Sequence, residues 1–168
     1  MVLTKNKLLK LIKSKKLIIE PYDESAVGPA SIDLTLDNKL RIFTKSQNAI
    51  EVKEGLDYKK YTKIIDISKG YVLKSGELVL GITKEKVTLP ENMSGWLQSR
   101  SRFARLGLMS HITAPFICPG VSNRQVLEIY NAGPRKLKLF PGVKICQLII
   151  EKTKGKAKYQ GRYKSQKL

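Results

Sequence analysis

The segment GPASIDLTLD sets the strongest limit on what this chain can fold into. Ile32, Leu34 and Leu36 alternate with Ser31, Asp33 and Thr35, and a period of two puts the apolar set on one face of a half-buried strand. Short runs of the same kind recur at Leu17 to Ile19, Leu40 to Phe43, Ile64 to Ile67, Tyr71 to Leu73, Leu78 to Ile82 and Val87 to Leu89. Gly55, Gly70, Gly76, Gly81 and Pro90 punctuate them. Further on, Lys136 to Leu139 and the strongly apolar Val143 to Ile150 follow turns at Asn131 to Pro134 and Pro141-Gly142. Regular short strands separated by turn residues predict an all-β barrel or sandwich. A helix is expected at the N-terminus, where Thr4 can cap a segment with Leu8, Leu11 and Ile12 as an apolar stripe among lysines. Residues 44 to 63 carry mixed charge and little periodicity, so they read as an excursion from the sheet.

At 168 residues the chain is long enough for one domain and short for two. The expected division is a single β domain over residues 1–151 and a basic tail over 152–168. The tail holds Lys152, Lys154, Lys156, Lys158, Arg162, Lys164 and Lys167, no acid, and Tyr159 and Tyr163 between them. The formal net charge of +18 suggests polyanionic partners such as nucleic acid, a membrane surface or phosphorylated small molecules. A lysine-rich solvated surface, as in proteins from hot environments, explains it equally well. Cys118 and Cys146 do not suggest a disulfide framework or a zinc site. The first twenty residues lack the apolar stretch of a signal peptide or membrane span, so the expected location is the cytoplasm.

Chemistry concentrates between Trp96 and Tyr130. Ser99 can cap a short helix in which Arg100, Ser101 and Arg105 flank Phe103 and Ala104, with Gly107 as its terminator. Such a turn offers amides and guanidinium groups to an anion. In QVLEIY, Val126, Glu128 and Tyr130 share one face of a strand, and Leu127 and Ile129 the other. A glutamate in a strand this apolar usually faces solvent, so Glu128 alone decides nothing.

Six segments in order and spacing resemble the dCTP deaminase family, relatives of the trimeric dUTP diphosphatases. They are PASIDL (Pro29 to Leu34), RSRFARLGL (Arg100 to Leu108), HITA (His111 to Ala114), VLEIYNAGP (Val126 to Pro134), PGVKICQL (Pro141 to Leu148) and KYQG (Lys158 to Gly161). The resemblance implies a mainly β fold, a distorted β-barrel or jelly roll of the dUTPase-like β-clip type with short helices. It also implies a homotrimer with sites between subunits and a C-terminal tail that closes over the nucleotide. The family uses no zinc, and the His-x-Glu with Pro-Cys-x-x-Cys signature of the zinc deaminases is absent here.

By the same resemblance, Glu128 is the catalytic carboxylate, Ser101 holds the water or the amino group, and Arg105 stabilises the developing charge. Arg100, Arg102, Ala114, Cys118, Val126, Leu127, Lys158, Gln160 and Arg162 fall at substrate-binding positions. Mg²⁺ is expected to arrive with the triphosphate. The chain departs from the family at several points: Cys118 stands for the aspartate of an I-D-P-G segment, Asn123 for a turn glycine, and Arg162 for a glutamine. A Pro-Tyr segment before KYQG is missing. Asn123 is expected to take the left-handed conformation of the glycine. The expected reaction is deamination of dCTP to dUTP and ammonia. The alternatives are hydrolysis of dUTP to dUMP and pyrophosphate, alone or after deamination, and, ranked behind both, a catalytically silent nucleotide- or nucleic-acid-binding relative. Membrane association and nucleic acid rank below a small nucleotide as partners.

Overall fold

The computed structural model describes residues 1–168. In chain order the elements are α1 (Lys5–Lys13), β1 (Ile18–Glu20), β2 (Ile32–Phe43), β3 (Thr62–Asp66), β4 (Tyr71–Leu73), β5 (Leu78–Thr88) and β6 (Met93–Ser99). They continue with α2 (Ser101–Ala104), β7 (Leu108–Met109), β8 (Phe116–Ile117), β9 (Ser122–Asn131), β10 (Leu137–Leu139) and β11 (Lys144–Lys152). One nine-stranded sheet runs β7-β9-β5-β2-β11-β6-β8, with β1 added to β5 and β3 to β2, and β10 pairs with β4 apart from it. Every pairing is antiparallel. The sheet curls into a distorted half-barrel, within the all-β barrel or sandwich class that the strand pattern predicts.

Two long strands produce the curl. In β2 the two expected runs join: Ile32 to Thr35 pair with β11, whereas Leu36 to Ile42 pair with β5, across a register shift between Leu36 and Leu40. In β5 the two expected runs also join, with a shift between Ile82 and Lys86 opposite Val126 and Arg124. Extra residues of this kind bend a strand and free backbone groups that must find other partners. Here side chains supply them: Thr83 Oγ1 donates to Glu85 O (2.8 Å) and accepts from Gln125 N (2.9 Å), and Glu85 accepts from Thr35 N (2.8 Å). Arg124 binds both Thr83 O and the carboxylate of Asp37. Burial works to raise the pKa of Asp37, but the hydrogen bonds of Arg124 and Asn38, with the Arg124 charge, outweigh it and hold the carboxyl below its ordinary range.

A single apolar cluster runs from Leu3 to Ile150, fed by the inward faces of β2, β5, β9 and β11. Leu8 and Leu11 of α1 join it. Their burial is worth about 3–6 kcal/mol, which fixes a nine-residue helix that would be marginal alone. The helix thus packs on the barrel, and no helix is long and apolar enough to cross a membrane. Residues 44–57 form no regular element, and a 3-10 turn at Tyr58–Tyr61 follows them.

At two points the local expectation fails. Ser99 does not cap α2: it ends β6, its hydroxyl is 2.9 Å from Ser110 Oγ and accepts from Ser110 N, and Arg100 occupies the cap position. Asn123 is not left-handed, because it lies inside β9 opposite Val87 and Lys15 is the only non-glycine with positive φ.

Gly81, buried at the centre of β5, tests the packing. A Cβ there would come within 2.7 Å of Ile129 Cδ1 and 3.0 Å of Leu36 Cδ1. Gly81→Ala is expected to destabilise by about 1–3 kcal/mol, lowering Tm by about 3–10 °C in a thermal melt. An unchanged Tm would show that this layer repacks freely.

Candidate active site

β9 alternates along its length: Leu127 and Ile129 are fully buried, while Val126, Glu128 and Tyr130 are half-buried on the other face. Glu128 therefore points away from the core, into the space closed by the segment after β7. That segment is pinned by the Ser99–Ser110 clasp, and its next residues turn their amides onto the carboxylate. Ile112 N and Thr113 N both donate to Glu128 Oε2 at 3.0 Å. Two N–H groups on one oxygen orient the carboxylate and leave Oε1 without a protein partner, free to take a proton. His111, the only histidine, precedes these amides. Burial lowers its pKa, against the opposing charge of Glu128, so the imidazole is neutral at pH 7, with Nδ1 buried and unpaired.

Glu128 lines a cavity of about 690 Å³ that is mainly apolar. Ala114, Cys118 and Val126 line it too, as do Phe43 of β2, Leu80 of β5 and Tyr58 of the 3-10 turn. The polar lining apart from Glu128 comes mainly from Asn123, Gln125 and the tail residues Tyr159, Tyr163 and Gln166. The chain beyond β11 runs back over the molecule, through Thr153 N to Asn92 O (3.1 Å), Ala157 N to Glu91 O (2.8 Å) and Tyr159 N to Pro119 O (3.0 Å). A mainly apolar concave site with one carboxylate suits a small ligand that carries a flat organic ring.

The other expected site residues lie elsewhere. Arg100 does not line the cavity: it pairs with Asp33 of β2 at 2.9 Å and donates to Lys144 O at 2.9 Å. Gln147 of β11 lies opposite Asp33, accepts from Ser31 Oγ at 3.1 Å and completes this second polar cluster. Ser101 and Arg102 of α2 and its C-cap Arg105 are exposed and are also absent from the cavity wall. Leu127 is wholly buried on the core face, so only its main chain could reach a ligand. Lys158 is exposed beside Glu91 at 3.6 Å, Gln160 accepts from Lys164 Nζ at 2.9 Å, and Arg162 lies over the Tyr163 ring. One chain thus divides the expected residues into a carboxylate cavity and a separate cationic surface.

Sequence reasoning missed Asp33 and Gln147 as partners around Arg100, and Tyr58, Asn123 and Gln125 as cavity walls. Asp33 and Gln147 carried a faint signal, as polar residues facing outward from apolar strands. Tyr58 carried none, because it sits in the aperiodic excursion. No three histidine, cysteine or acidic side chains gather into a metal site.

Comparison with known proteins shows the family of the chain. A family model described as dCTP deaminase-like matches residues 2–153. The dUMP-forming dCTP deaminase of Persephonella marina is 32% identical over 169 residues, covering 99% of this chain and 93% of that protein. The dCTP deaminase of Tolumonas auensis is 40% identical over 171 residues, covering 92% of this chain and 89% of its own. Among solved structures, the 2'-deoxycytidine 5'-triphosphate deaminase of Agrobacterium tumefaciens superposes with a TM-score of 0.65 at 25% identity, over 89% of this chain and 47% of its own. With a family model spanning nearly the whole barrel and relatives above 30% identity end to end, the chain belongs to the dCTP deaminase-like family.

Proposed function

We propose that this protein deaminates dCTP to dUTP and ammonia, with Glu128 as the group that moves protons. The observation that carries the reading is the carboxylate held by two amides at the wall of a mainly apolar cavity. Glu128 takes a proton from water as the oxygen bonds to C4 of cytosine, and N3 gains that proton. C4 then bears a hydroxyl and an amino group. Glu128 takes the hydroxyl proton and passes it to the amine, the C4–N bond breaks with its electron pair leaving on nitrogen, and ammonia departs as the C4 carbonyl forms. Every hydrogen of the water is accounted for, one on N3 and one on ammonia.

Ser101 and Arg105 act from a neighbouring copy in a homotrimer, Ser101 holding the water or amine and Arg105 stabilising the charge on ring and carboxylate. The separation of α2 from the cavity within one chain supports this division. Arg100 and Lys158, with Arg102 and Arg162, meet the triphosphate. Mg²⁺ enters as part of the substrate, on the phosphates. The tail, residues 152–168, serves as the cover of the nucleotide; Tyr159, Tyr163 and Gln166 at the cavity support that role. Two free thiols fit a reducing, cytoplasmic setting.

A second reading, deamination followed by hydrolysis to dUMP in the same site, is favoured by the dUMP-forming names of several relatives, including that of Persephonella marina. Cys118 opposes it, because a neutral thiol is a poor acceptor where the family's aspartate orients water. Incubation with dCTP or dUTP and Mg²⁺, with ammonia, pyrophosphate, dUTP and dUMP measured separately, is expected to give ammonia and dUTP in equal amounts and little dUMP. Absence of ammonia would end the deaminase reading, and dUMP accumulating with pyrophosphate would establish the second.

Cys118 lines the cavity at intermediate exposure. Cys118→Asp is expected to tighten dCTP binding roughly tenfold or more, by restoring a charge-assisted hydrogen bond to the deoxyribose. It is also expected to raise pyrophosphate release from dUTP. A stably folded variant with unchanged KM for dCTP and unchanged dUTP turnover would remove position 118 from the nucleotide site.

A further inference from the structure

Asn123 replaces a glycine of the family pattern, yet it serves no turn. It lies in an extended strand, 7% exposed, and its carboxamide faces the tail rather than the core. Nδ2 donates to the main-chain carbonyls of Tyr163 (2.9 Å) and Lys164 (3.4 Å). Oδ1 accepts from Gln125 Nε2 at 2.7 Å, which fixes the carboxamide so that its donor end meets the tail. Three residues on, Gln166 Nε2 returns the contact by donating to Arg124 O at 2.9 Å. β9 and the tail are therefore strapped together from both sides, at the residues that wall the cavity.

The tail needs such a strap. It is basic throughout and lies on a chain of net charge +18, so self-repulsion favours its release. Its one ion pair, Lys158 with Glu91, is 3.6 Å long with both side chains about half exposed. A pair of that kind contributes little. Tyr58 OH to Lys167 O (3.4 Å) and Tyr163 N to Tyr159 OH (3.3 Å) are long and exposed. The Asn123 bonds are neutral, indifferent to charge and sheltered on one side.

We infer that Asn123 is a positioning residue that holds the C-terminal segment over the cavity before any nucleotide arrives. This rests on the reading of the cavity as the nucleotide site and the tail as its cover. A segment already in place does not pay its ordering entropy at binding, so Asn123 acts on KM rather than on the chemical step.

The test starts from hydrogen exchange in the ligand-free, full-length protein. Asn123→Ala is expected to speed exchange across residues 159–168 by roughly three- to tenfold, the effect of one net hydrogen bond, with amides of β5 and the rest of β9 unchanged. KM for dCTP is expected to rise by up to the same factor at nearly unchanged kcat. Gln166→Ala, which leaves the barrel untouched, is expected to do likewise. Unchanged tail exchange in Asn123→Ala would overturn the inference, and so would faster exchange spread over β5 and β9 with a falling kcat, the signature of a merely structural residue. If Gln166→Ala loosens the tail and raises KM while Asn123→Ala leaves KM alone, Asn123 does not position the cover. If both variants loosen the tail and neither moves KM, the cover reading fails and the role of Asn123 in it fails too, even though its hold on the tail stands.

Discussion

A carboxylate on an apolar wall stays useful only if something orients it without neutralising it. Glu128 meets that requirement through the paired amides of Ile112 and Thr113, which occupy one oxygen and leave the other open. The amides depend in turn on the Ser99–Ser110 clasp, which joins the end of β6 to the residue that follows β7. The close approach of Gly107 to Gly133 belongs to the same assembly: Gly107, at φ +83°, ends α2, accepts from Ala132 N, and leaves no room for a Cβ against the Gly133 backbone. The orientation of one side chain thus rests on main-chain groups that no single substitution can replace.

The bends in β2 and β5 explain why the cavity and the cationic cluster face apart. By crossing from β11 to β5, β2 carries Asp33 to the Arg100 side and Phe43 to the cavity side of the same barrel. Burying Arg100 beside Glu128 in one chain would let the two neutralise each other before substrate arrived. Keeping Arg100 on Asp33 holds its guanidinium in place at 20% side-chain exposure, and leaves the exposed α2 residues free to meet a neighbouring copy in the assembly proposed above.

Much of this was legible in the chain. Alternation in SIDLTL and QVLEIY gave the correct inward faces of β2 and β9, because burial on one side of a sheet enforces a period of two. The junctions were not legible: the merging of Leu40 to Phe43 into β2, and of Val87 and Thr88 into β5, depends on bulges stabilised by Thr83, Glu85 and Arg124 from distant positions. Ser99 looked like a helix cap because local rules favour one, but a partner eleven residues away claimed its hydroxyl. Asn123 looked like a tolerated turn residue, since nothing nearby in sequence announces a tail forty residues on. Glu128 was found by family pattern and periodicity together, whereas the amides that hold it carry no side-chain signature at all.

A site shared between copies requires that Glu128 of one chain and Arg105, at the end of α2, of another meet. Glu128→Gln and Arg105→Ala chains, each carrying a different affinity tag, can be co-expressed and the doubly tagged assemblies isolated. Each variant alone is expected to lose nearly all deamination. Every mixed trimer then carries both native groups at one site in three, so the doubly tagged assemblies should recover about a third of wild-type turnover. Mixed assemblies as inactive as their parents would contradict a site shared between copies.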